Sequence, residues 1–447
     1  VIGLEYFAKF MSYSTISVKA LMIANVILFL AYFIFKYIKR KYIFSIFNIS
    51  IFITAVALLL ISMLQYNNKA WEALGSFNSV YYIDNLNKNM IINCIGFFIF
   101  IFSMALFELF YNKDAKLAIH RENLEVKHRI IVKFYIFCII LWIALVIKVW
   151  TLPVFVDRMI FDYAENNKLR PIYLACNGVI YIVCQYMFIR YMRTKQLYEL
   201  LLAIAGAIVV FLVGSRSPFI DIIVNFALIF IYSNRKRFKK PNLVIISALL
   251  VTLVIGMGML FLRSGSNAKS SFTQKMQSEI MYGNSFSDIR DGAFILYNYD
   301  IKFKGYLNGK NYLADVMSFV PSGVSEYRQK WSWGNFTAKT LVGYEDHYGL
   351  RGGPFLQAYL NFAWFGVVVV AIIAGVIYGL SETAFYRSII KGKENFEFRF
   401  ILLMLGIMFS KALFISSGFH EVYPILILSF LVLMPKKFVD LAIKLKL

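Results

Sequence analysis

The chain has 447 residues, 60% of them hydrophobic and 16% charged, with a formal net charge of +22. The apolar residues fall in uncharged runs of roughly 18 to 25 residues, the length that crosses a bilayer core, which excludes a soluble globular enzyme. The positive excess does not point to nucleic acid, because lysine and arginine gather in short segments between apolar runs, as membrane topology requires.

Lipid cannot satisfy backbone polar groups, so these runs read as helices. In chain order about eleven spans are expected, near residues 19–36, 43–64, 90–111, 131–152, 172–189, 198–213, 217–233, 242–262, 355–380, 399–415 and 422–434. The opening "VIGLEYFAKFMSYS" shows neither the basic start nor the cleavage site of a secretory signal. The connections alternate in charge. "KYIKRK", "RYMRTK", "RKRFKK", "RSIIKGK" and "PKKFVDLAIKLKL" are basic, and "NKDAKLAIHRENLEVKHR" is net positive. The positive-inside rule puts these in the cytoplasm, with the N-terminus outside and the C-terminus inside.

The near-neutral connections then fall outside, among them the turn "GSRSP", the short "SSGFHE" and the long polar segment 263–353. The expected organisation is all-α and polytopic. Residues 1–262 form the first eight spans, 263–353 a large extracytoplasmic loop domain, and 354–447 the last three spans and a basic tail. Cys94, Cys138, Cys176 and Cys184 lie in apolar runs and read as buried packing. There is no Walker loop, dinucleotide glycine fingerprint, His-Glu-x-x-His signature or Asp-x-Asp pair in the outer loop. No metal and no cofactor are expected, so any reaction draws on an already activated, membrane-held substrate.

Candidate site residues stand on the outer side. Arg216 lies in the tight turn before Pro218, and Arg351 in "DHYGLRGGPFLQAYLNFAWFG", where Pro354 reads as a first helical residue. A cation on the outer face departs from the topological bias, and a guanidinium fork suits phosphate. Arg263 and Arg290 are further diphosphate candidates in the long loop. Arg328, Tyr327, Trp331 and Trp333 supply rings and polar tips for a sugar. His347, His420 and Glu345 are the candidate acid/base groups.

Three stretches carry a family resemblance. "VGSRSPFIDIIVNFALIF" is similar to a Gly-Ser-Arg turn leading into a helix. "GYLNGKNYLADVMSFVPSGVSEYRQKW" resembles an outer-loop block with a proline-centred segment, and "GGPFLQAYLNFAWFGVVVVAIIAGVIYG" a closing Gly-Pro helix entry. In this order, over roughly residues 150 to 420, they resemble the oligosaccharide repeat-unit polymerases of O-antigen and capsule, the Wzy family. Two departures are visible. Ser322 follows Pro321 where relatives often carry arginine, and Lys411 with "SSGFHE" stands where they tend to show another.

The resemblance implies a glycosyltransferase-C-like fold in a bacterial cytoplasmic membrane. It also implies transfer of a growing glycan from polyprenyl diphosphate to a lipid-linked repeat unit. The expected partners are the bilayer, polyprenyl-diphosphate-linked oligosaccharides, a chain-length regulator and a flippase. A ligase of the same superfamily and a lipid-oligosaccharide flippase are the alternatives. A flippase is disfavoured because no internal repeat is visible and Glu108, Lys148, Asp221 and Lys411 form no charged lane.

Overall fold

The computed structural model describes residues 2–66, 79–110, 124–150, 152–153, 169–214, 216–234, 237, 243–247, 287–320, 324–343, 349–390, 396–415 and 422–433. Regular structure among them is helical throughout. A short α1 (Ile2–Tyr13), which the apolar runs did not announce, precedes α2 (Ile16–Arg40). Thr15 caps α2 by accepting from the Val18 amide, and Lys41 ends it in the left-handed region at φ 59°. The expected second span is instead α3 (Ile49–Leu59) followed by a 3-10 turn, Ile61–Gln65. Next come α4 (Ser79–Phe110), α5 (Leu124–Val149), α6 (Arg170–Thr194), α7 (Leu197–Leu212) and α8 (Arg216–Ser233).

The expected eighth span lies almost wholly outside the described residues. A cap follows, made of α9 (Asp288–Lys302), α10 (Lys310–Val316), α11 (Glu326–Trp331) and a π-helical stretch, Phe336–Val342. The chain closes with α12 (Leu356–Phe385), α13 (Phe396–Ile415) and α14 (Val422–Leu433). Among the described residues, five helices are long and apolar enough to cross a membrane: Ile16–Arg40, Tyr82–Phe110, Glu125–Val149, Arg170–Thr194 and Leu356–Phe385. This is a multi-pass membrane protein. All four cysteines are buried.

Two helices organise the bundle. α4 takes α2, α9 and α12 against its sides, while α6 gathers α5, α7, α8, α13 and α14. The α4–α12 seam is close because α12 offers glycines four residues apart. A Cβ on Gly375 would come within 2.6 Å of the Phe100 carbonyl oxygen, and one on Gly379 within 3.0 Å of that of Met104.

α12 is not one straight helix. Phe362 (φ −139°, ψ 22°) and Ala363 (φ 53°, ψ −148°) are non-helical. A Cβ on Gly366 would meet the Ala358 carbonyl oxygen at 2.5 Å. In a straight helix eight residues span roughly 12 Å, so the chain folds back on itself here. The amides of Leu307 and Asn308 take the carbonyls of Leu360 and Asn361 at 2.9 and 3.1 Å. Cap backbone thereby satisfies groups that a membrane would leave unpaired.

The reversal sets a depth. Phe355 packs on Gly96, one turn before Phe100, which itself meets Gly375. The turn preceding α12 therefore sits roughly 10 Å below the break, inside the bundle. Pro354 was expected to open the helix. It lies in that turn, and the helix begins at Leu356.

Away from the cap, α2, α4 and α12 share a buried charge cluster. Lys36 pairs with Glu382, which also accepts from Ser45 and, at 3.1 Å, from Tyr42. Arg40 reaches Glu108 at 3.1 Å, and Tyr32 donates to the same carboxylate at 2.6 Å.

Candidate functional site

The re-entrant turn lines a cavity of about 120 Å³ between α3, α4, α9, α12 and α13. Arg351, Gly352, Gly353 and Asp288 form its polar mouth. Ser50, Thr54, Tyr378 and Lys411 are polar groups further along its wall, and Ile51, Phe97, Phe100 and Phe355 are its apolar part. At about 30 Å³ per water the space holds roughly four waters, enough for a phosphate-sized group.

Buried amide side chains place the mouth. Asn93 accepts from the Phe355 amide at 3.2 Å and donates to the Gly352 carbonyl at 3.4 Å. Asn89, one turn earlier, donates to the Ile289 carbonyl at 3.0 Å and to that of Asp288 at 3.4 Å. Gln65 accepts from the Arg290 amide at 2.9 Å. Residues four apart share a helix face, so one stripe of α4 holds both sides of the mouth. Gly353 has φ +84°, and a Cβ there would come 2.5 Å from Asn93 Oδ1, so the turn needs glycine twice over.

Across the mouth, Arg351 Nη1 stands 3.9 Å from Asp288 Oδ1, with the two side chains 56% and 43% exposed. That separation is too long for a hydrogen bond, and Oδ1 accepts none from the described residues. Partial burial pushes the Asp288 carboxyl up to about 6, against the pull of Arg351. Deeper in the wall, Lys411 lies within electrostatic reach of Asp221 and Tyr378. Asp221 belongs to the first turns of α8, the helix that Arg216 opens.

The family model for O-antigen polysaccharide polymerase Wzy matches residues 1–439. The chain belongs to that family. No curated protein and no solved structure matches the chain. Wzy membership makes it an enzyme of O-antigen polysaccharide polymerisation, working on lipid-linked repeat units as a multi-pass membrane protein.

Within this Wzy chain the expected site residues divide. Arg351 lies on the cavity wall. Arg216 is the first residue of α8, and its side chain lies outside the described part. Arg290 is buried and held by Asp291 at 3.0 Å, where burial raises the Asp291 carboxyl. Glu345, His347, His420 and Arg263 lie outside the described residues.

The expected sugar-binding groups sit in the cap. Arg328 donates to the carbonyls of Ser318 and Val320, and burial lowers its guanidinium. Tyr327 donates to the Lys310 carbonyl at 3.2 Å. Trp331 stacks on Phe336 with centroids 5.7 Å apart, under the ammonium groups of Lys310 and Lys330, and Trp333 is buried. Asp315 joins the cap to α12 by accepting from Gln357 at 2.6 Å, and burial pushes its carboxyl up to about 7.

Sequence reading did not single out Asp288, Tyr378, Ser50, Gln65 or the amides of α4 for the site, and it noted Lys411 as a departure from the family pattern and as a charge near a span, not as a site residue. The Asn89–Asn93 pair at i, i+4 entering an apolar run was the available signal.

Proposed function

We propose that the cavity is the site where the lipid diphosphate of a growing glycan leaves as that glycan is transferred to the terminal sugar of a lipid-linked repeat unit. The observation that carries this is one cavity bearing two fixed cations, Arg351 and Lys411, beside apolar walls. A diphosphate gains charge as the anomeric carbon–oxygen bond breaks, and cations already in place stabilise that charge without reorganising. Arg351 offers a bidentate fork, Lys411 a point charge, and the apolar wall suits the start of a prenyl chain. The cap faces outside and the basic loops face the cytoplasm of a bacterial inner membrane, in line with the charge pattern. A chain-length regulator and a flippase belong beside it as partners.

The purified chain, reconstituted in liposomes with lipid-linked repeat units and no nucleotide, is expected to build a ladder of longer lipid-linked glycans on a gel. Substrate that crosses the bilayer but is never lengthened would replace this reading with transport.

A further inference from the structure

Glycosyl transfer needs a group that takes the acceptor's proton as the bond to the leaving diphosphate breaks. We propose that Asp288 is that general base. This rests on the polymerase reading above. Among the described lining residues of the cavity, Asp288 is the only carboxylate. It shares the mouth with Arg351, and one oxygen is enclosed without a hydrogen bond from the described residues while 43% of the side chain stays open. A base must reach the proton and also retain acceptor capacity; Asp288 lines the cavity the substrate would enter and has that capacity.

In the step, the acceptor hydroxyl oxygen bonds to the anomeric carbon while the carbon–oxygen bond to the diphosphate breaks. The bonding pair leaves on the diphosphate beside Arg351 and Lys411. The hydroxyl proton passes to the Asp288 carboxylate and then to solvent.

The charged groups facing Asp288 set its working range. Arg351 faces it from the turn, Asp291 lies one turn on with Arg290 at its side, and Lys411 lines the same cavity from α13, nearer Asp221 and Tyr378. Neighbouring α4 presents the Asn89 amide, and α3 the hydroxyls of Ser50 and Thr54. The carboxyl, held up to about 6, is ionised at neutral pH and protonated below that. A protonated base accepts nothing, so kcat/KM falls about tenfold per pH unit on the acid side. A bound diphosphate moves the group further up, because a like charge disfavours ionisation.

The test uses the full chain in liposomes with lipid-linked repeat units. Asp288→Asn is expected to lower kcat by about 10²- to 10⁴-fold, to abolish the acid limb of the profile and to leave the melting temperature and the binding of a polyprenyl diphosphate unchanged. Asp288→Glu should recover part of the rate and restore the limb. Asn retaining kcat within about threefold, or an acid limb that persists in Asn, would overturn the assignment. So would loss of rate that merely follows loss of melting temperature or of polyprenyl diphosphate binding, since Asp288 would then be a structural N-terminal residue of α9. Wild-type chain that lengthens nothing defeats the polymerase reading itself, and that outcome is distinct from all of these.

Discussion

Two groups of charged side chains lie toward opposite ends of α4, and they differ in how fully each charge is met. Away from the cap, Lys36 and Arg40 face Glu108 and Glu382 with every side chain nearly or wholly enclosed, and hydroxyls of Tyr32, Tyr42 and Ser45 complete the set. At the cap, Arg351 and Asp288 are about half exposed and stand 3.9 Å apart over a cavity. The closed cluster is sealed from solvent, with Lys36 and Arg40 within ion-pair distance of its two carboxylates, and acts on helix packing. The open one keeps charge for something that enters. A buried charge is therefore not by itself a mark of function in this membrane protein, whereas the proposed function rests on open charges beside a cavity.

Substitutions at either end test this contrast. Glu382→Ala should cost about 3–5 kcal/mol of stability, because it leaves Lys36 enclosed without its partner. Scanning fluorimetry in detergent reads the loss, and Lys36→Met combined with Glu382→Leu should regain much of it. A single Glu382→Ala variant as stable as wild type would remove the structural half of the contrast. At the other end, Arg351→Ala should lower polymerisation by about 10²- to 10³-fold with an unchanged melting temperature. Arg351→Lys should stay well below wild type, since an ammonium cannot reproduce the fork.

Gly353→Ala should cost about 1–3 kcal/mol, because a Cβ at positive φ adds strain and at 2.5 Å from Asn93 also displaces the amide that holds the mouth. Rate and stability should fall together there, which separates shape from charge. The smallest effect belongs to the exposed pair Lys88–Asp300, 3.1 Å apart. Lys88→Ala should change stability by less than about 1 kcal/mol, and that little should vanish in high salt.

Much of the bundle was legible because a span is a local property. Apolar runs announced α2, α5 and α6, since twenty apolar residues in lipid leave the backbone no other choice. The start of α4 was hidden by its asparagines, which read as loop until Asn89 and Asn93 are seen to hold other backbone segments. Arg351 stood out as a cation on the face expected to be the outer one. The fold-back at Phe362 and Ala363 was not, because nothing local in "YLNFAWFG" breaks a helix. It depends on amides more than 50 residues away, at Leu307 and Asn308. Distance also hid the Lys36–Glu382 pair, whose members are 346 residues apart. Asp288 escaped because it is one acid among several in the long loop, and only its neighbours across the mouth distinguish it.

The backbone bonds from Leu307 and Asn308 to Leu360 and Asn361, with Asp315 on Gln357, fasten the cap to the short first segment of α12. That segment leads back within a few residues to Gly353 and Arg351. On the proposed function, a glycan held by the cap would pull on the same segment that carries the mouth of the cavity, so the load of a lengthening polymer would be felt where each new bond is made.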